Sequence, residues 1–97
     1  MSTKPKQLTR LQEKIIDALA NDYEDLQQIQ EMLDHPTHTD EITSALWALI
    51  GEGYVVCYRP TKTEMKPVTH PDRQRLDHYW FALTKRGEEI LQALERT

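Results

Sequence analysis

A single cysteine, Cys57, closes off two ways of holding a small chain together: it can form no intrachain disulfide and cannot complete a thiolate zinc site. Folding has to rest on packing. Glycine is scarce as well, and Gly51, Gly53 and Gly87 are too few and wrongly spaced for the phosphate loops of dinucleotide-binding folds. No Gly-x-Ser-x-Gly turn, helical HExxH or metal triad occurs, and Cys57 sits in an apolar run where a small buried hydrophobe is the usual identity. His35 and His38, flanked by Asp34 and Asp40, have the right ligand types for a metal, but Pro36 and the turn between them give no recognised ligand spacing. The expectation is therefore no enzyme, no cofactor and no metal. Long apolar runs are also missing, charges occur throughout, and MSTKPKQ leads into an amphipathic segment and not an apolar signal core. These features predict a cytoplasmic protein with no membrane partner. A formal charge of −4 argues against bulk attraction to phosphate, so the distribution of charge matters more than its total.

The 97 residues suit one small domain, with a flexible tail over residues 1–6 and little spare core. Leu8, Leu11, Ile15, Ala18 and Leu19 recur at spacings of three and four and predict a first helix. Asn21 followed by Glu24 suits a capped start for a second, whose stripe is Leu26, Ile29 and Leu33 and which stops at His35-Pro36. Thr39 is then the expected N-cap of a third helix. Asp40 and Glu41 favour its positive end, and Ile42, Ala45, Leu46, Leu49 and Ile50 form its apolar stripe. Gly53 is placed to end it as a left-handed cap.

Beyond Gly53 the period changes. YVVCYR (Tyr54 to Arg59) and DHYWFAL (Asp77 to Leu83) are β-branched and aromatic, and the second run puts Tyr79, Phe81 and Leu83 on one face. They predict the two strands of a hairpin, with Tyr58 and Trp80 as an aromatic pair across it. Between them PTKTEMKPVTHPDRQR has three prolines and no apolar period, which predicts a long mobile wing loop over residues 60–76 with no buried structure. Thr84 is the expected cap of a last helix facing Ile90, Leu91 and Leu94 inward.

That element order, with ALWALIGEGYV ending the third helix and the pattern aromatic-x-Leu-Thr-x-x-Gly at Phe81, Leu83, Thr84 and Gly87, resembles the winged helix-turn-helix domains of the MarR and PadR transcription-regulator families. The likeness runs from about Leu8 to Leu94. It implies an α+β fold with a three-helix core, a two-stranded wing and a C-terminal helix. It also implies a homodimer joined through the terminal helices, with the third helix laid against duplex DNA. In one respect the chain departs from those families, which usually carry basic residues on the exposed side of the third helix. Winding this helix at 100° per residue exposes Asp40, Glu41, Ser44, Trp47, Ala48 and Gly51, with no Lys or Arg.

The cations are in the wing. From Arg59 to Arg75 there are five, Arg59, Lys62, Lys66, Arg73 and Arg75, against Glu64 and Asp72; that segment carries +3 and the rest of the chain −7. Two functions from different classes follow. In one, the chain is a DNA-binding transcriptional regulator whose wing cations hold phosphate while Thr39, Thr43, Ser44 and Trp47 of the third helix face the groove. In the other, it is an interaction module that docks a protein partner on an exposed Trp47 and binds no DNA.

Overall fold

The computed structural model describes residues 8–33 and 38–96, so the expected tail over residues 1–6 and the stop at His35-Pro36 lie outside the described residues. The first helix, α1 (Arg10–Ala18), opens on a reciprocal capping box: the Gln12 backbone N–H donates to Thr9 Oγ1 at 3.1 Å, and the Thr9 N–H donates to Gln12 Oε1 at 2.9 Å. A two-residue strand, β1 (Glu24–Asp25), precedes α2 (Leu26–Met32). The cap of α2 is Asp25 with Gln28, at 2.8 and 3.1 Å, and not Asn21 with Glu24 as the spacing suggested. Both pairs read as a short polar residue followed three later by Glu or Gln. Pairing of Glu24 and Asp25 with the sheet keeps that stretch extended until Asp25.

Helix α3 (Thr39–Gly51) carries Asp40 and Glu41 in its first turn, as the dipole argument requires. Its N-cap is His38, which makes no side-chain capping bond, so Thr39 is the first helical residue and not the cap. Strand β2 (Val55–Pro60) follows, then β3 (Met65–Pro67), a 3-10 helix at Arg73–His78, β4 (Trp80–Leu83) and α4 (Lys85–Glu95). The four strands form one antiparallel sheet in the order β1-β4-β2-β3. The two expected strands do pair, from Val55 opposite Leu83 to Tyr58 opposite Trp80. The segment between them is not the irregular, unburied loop expected. It supplies β3, which pairs with β2 through Tyr58–Pro67, Arg59–Lys66 and Pro60–Met65, and it drives Leu76 into the core at 1% exposure. Pro67, with no N–H to donate, sits on the edge strand where none is missed.

Burial gives the sheet two faces. Val55, Cys57 and Phe81 join Ile15, Ile16, Leu19, Leu26, Ile29, Ile42, Leu46 and Leu49 from the helices in one buried cluster, closed by Tyr54, Leu76 and Tyr79. Their neighbours Val56, Tyr58, Trp80 and Ala82 point the other way and are half-buried.

The turn out of α3 locks this arrangement. Gly53 has φ 82°, and the Gly53 N–H donates to Ile50 O at 3.1 Å while the Tyr54 N–H donates to Leu49 O at 3.0 Å, the paired bonds of a Schellman cap. Thr84 binds the same turn from the other side. Its hydroxyl donates to Gly53 O at 2.6 Å and accepts the Gly87 N–H at 3.0 Å, and its own N–H donates to Tyr54 O at 3.0 Å. Gly87 must lack a side chain because a Cβ there would collide with Tyr54 O, a backbone atom with no room to retreat. One substitution at two helical glycines should therefore have opposite signs. Gly51→Ala meets open space and should stabilise by ~0.5–1 kcal/mol, whereas Gly87→Ala should destabilise by about 3 kcal/mol or more. Urea unfolding checks both, and equal effects would contradict the packing described.

Candidate nucleic-acid interface

The outward side of α3 is polar but uncharged by any cation. Asp40, Glu41, Ser44, Ala48 and Gly51 are exposed, as the helical wheel predicts, and so is Thr39. Trp47 is not. It is half-buried and packs against the buried cluster, so the exposed indole expected from the wheel is corrected. The angle from the stripe was right, yet a side chain of this size reaches back to the core from the flank of a helix. Thr43 is also half-buried, and its hydroxyl donates to Asp40 O at 3.0 Å, leaving it only acceptor capacity toward a ligand.

The five wing cations are all exposed. Arg59 and Lys66 stand directly opposite each other on β2 and β3. Two like charges in register oppose pairing, and such an arrangement is relieved by an anion between them. Lys62 lies in the hairpin tip, the four residues between Pro60 and Met65. Mirror-image turns need positive φ, which among the described residues occurs at Gly53 alone, so Thr61 closes the turn with its side chain. Thr61 Oγ1 accepts the Glu64 N–H at 3.1 Å and donates to Glu64 O at 2.8 Å, and the Thr61 N–H donates to the same carbonyl at 2.7 Å. These bonds close the tip in which exposed Lys62 sits.

Arg73 is positioned from the core outward. Leu76 plugs the 3-10 helix into the buried cluster, and the Asp72 N–H donates to the hydroxyl of buried Tyr79 at 3.0 Å. Asp72 Oδ1 accepts the Gln74 N–H at 2.9 Å and caps the segment. So anchored, Arg73 extends across to α3, and its guanidinium donates to Ser44 Oγ at 3.2 Å. Two residues singled out separately in the sequence thus meet, 29 positions apart. Arg75, two residues on, turns instead to Asp72 at 3.7 Å in an exposed pair. Asp72 and Arg75 are i, i+3 neighbours, whereas nothing in local spacing announces the Arg73–Ser44 contact, which depends on where Leu76 is buried.

Elsewhere, Tyr58 and Trp80 are register partners as expected, but the ring that meets Tyr58 is Tyr23, at 4.9 Å between centroids and 83° between planes. Among the described residues no three His, Cys, Asp or Glu side chains gather as metal ligands, and no helix is long and apolar enough to cross a membrane. Asp34 and His35 lie outside the described residues. Comparison with family models, with curated proteins and with solved structures gives no match for the chain.

Cys57, on the inner face of β2, is 2% exposed, and burial pushes its thiol up from 9.0 to about 11. Because the folded state favours the neutral thiol, this group's contribution to stability is complete below pH 9 and is lost as pH rises toward 11. At pH 8 the folded protein should alkylate at Cys57 about 100-fold more slowly than an unfolded chain on thiolate fraction alone, and more slowly still through lack of access. Iodoacetamide labelling with and without urea measures the ratio; comparable rates would show that the inner face of β2 opens readily.

Proposed function

We propose that the chain is a winged helix-turn-helix DNA-binding domain of a transcriptional regulator, with α3 turned toward the major groove and the β2–β3 wing on the phosphates. The observation that carries this reading is the Arg73–Ser44 contact. A recognition helix without Lys or Arg is a poor reader of bases. Here the 3-10 helix delivers a guanidinium to the middle of its exposed side, where it is available for bidentate recognition of guanine or for phosphate. The succession α1, β1, α2, α3, β2, β4, with β4 between β1 and β2, supports the same reading. So does the Arg59–Lys66 pair, whose mutual repulsion an intervening phosphate removes.

The competing reading, a protein-docking module anchored on Trp47, needs that indole free. Its half-buried place against the core favours the DNA-binding reading over this one.

A dimer completes the proposal. The cleft between α1 and α4, about 550 Å³, has Leu91 and Leu94 at its apolar part and Arg10, Lys14, Glu13, Asp17 and Glu95 around them. Two copies related by a two-fold axis can place the cations of one against the carboxylates of the other.

Arg73→Ala should weaken binding, reduce the salt slope by about 0.9 and relax base preference, while Arg75→Ala, whose guanidinium is turned to Asp72, should have a smaller effect on all three. A shift assay over a salt series measures slope and preference, and light scattering on the wild-type complex should report two copies per duplex. Equal effects of the two substitutions, or binding without salt dependence, would count against the assignment.

A further inference from the structure

Away from α3, the outer face of the sheet ends in a small open cavity of about 290 Å³, at the lower end of the range for ligand pockets. Its walls include Asp22 and Tyr23 from the turn after α1, Tyr58 from β2, Ala82 and Leu83 from β4, and Glu88 from the first turn of α4. The two tyrosine rings meet nearly at right angles, 83° apart with centroids at 4.9 Å. In a T-shaped pair the corner beside the stem is bounded by one face of each ring, and both faces carry the negative lobe of the ring quadrupole. Asp22 lines the same cavity, and its Oδ1 accepts the Tyr23 backbone N–H at 2.7 Å. Glu88 adds a second negative charge. Among the described residues, none that lines the cavity is Lys or Arg.

We propose that this corner binds a small organic cation of the alkylammonium class, seated against the faces of Tyr23 and Tyr58 with Asp22 and Glu88 supplying the counter-charge. Each ingredient favours a cation over a neutral ligand of the same shape: two tyrosine rings in contact on the cavity wall, two carboxylates lining the same cavity and, among the described residues, no lining Lys or Arg. Size sets the class further. A volume of about 290 Å³ suits a headgroup with a few carbons attached better than a large apolar body. Tyr23, exposed to 37% in a chain whose other tyrosines are more covered, is the ring such a ligand would cover. Apart from Tyr58, which belongs to the wing strand β2, the residues named for this site lie off α3 and the wing, and choline binding is measured without DNA, so the two readings are tested separately.

The test compares choline with 3,3-dimethylbutan-1-ol, which has the same shape without the charge, by following the ring signals of Tyr23 and Tyr58 in NMR titrations of the full chain. Choline should shift both rings saturably and bind at least about tenfold more tightly than the neutral isostere. Tyr58→Phe should keep the preference because the ring face remains, Tyr58→Leu should abolish it, and Glu88→Gln should weaken choline several-fold without changing the isostere. Glu88 is exposed, so its substitution keeps the test decisive even if Tyr58→Leu fails to fold. Equal binding of the two compounds, no saturable shift with choline, or a Glu88→Gln protein that binds choline as the wild type does would each overturn the proposal.

Discussion

Everything in this small fold turns on the peptide between Gly53 and Tyr54. The two carbonyls there are taken by one residue, Thr84, whose hydroxyl and backbone N–H reach Gly53 O and Tyr54 O respectively. The same hydroxyl caps α4. Gly87 lies against the Tyr54 carbonyl so closely that no side chain fits, and Arg86 from the next position lays its guanidinium over the Tyr54 ring at 4.9 Å. The end of α3, the start of β2, the end of β4 and the start of α4 are thereby held at one point. With a chain this short and no covalent staple, such a node fixes the angle between α3 and the sheet, and the buried cluster fills the space that angle leaves.

From that angle follows the placement of charge. A rigid α3 offers a polar outer side with its own carboxylates near the positive end of the helix, where they help the helix and do nothing for anion binding. Cations therefore have to be brought to it. The excursion between β2 and β4 does this by burying Leu76 and Tyr79, which commits the intervening residues to a path across α3 and leaves Arg73 on Ser44. Long cationic side chains carried by an element that is anchored in the core lose less freedom on binding than those on a slack loop. The wing hairpin follows the same logic, with a threonine side chain closing its tip and Arg59 opposite Lys66 on its strands.

Much of the fold was legible because it is written in periodicity. The stripes of α1, α2, α3 and α4, the left-handed Gly53, the Thr84 cap, the inward Tyr79 and Phe81 and the buried Cys57 all depend on near neighbours in sequence. Failures came where a distant contact decided between equivalent local options. Asn21-x-x-Glu24 and Asp25-x-x-Gln28 are equally good boxes until β4 claims Glu24 and Asp25 as strand partners. Leu76 is one apolar residue among prolines and charges, so no period marks it for burial, and β3 is too short to show alternation. Of the candidate site, the identities of the cations were readable and their pairings were not, since Arg73–Ser44 and Arg59–Lys66 are fixed by tertiary path and register.

The most direct measurement is a residue-by-residue map of amide shifts as duplex DNA is added at low ionic strength, where phosphate attraction is strongest. The largest changes should fall at Thr39 to Ser44, at Arg59, Lys62 and Lys66 on the hairpin, and at Arg73, with Leu91 and Leu94 in the cleft between α1 and α4 unaffected. A map centred on that cleft or on the outer sheet face, or no shifts at any DNA concentration, would contradict the DNA-binding reading.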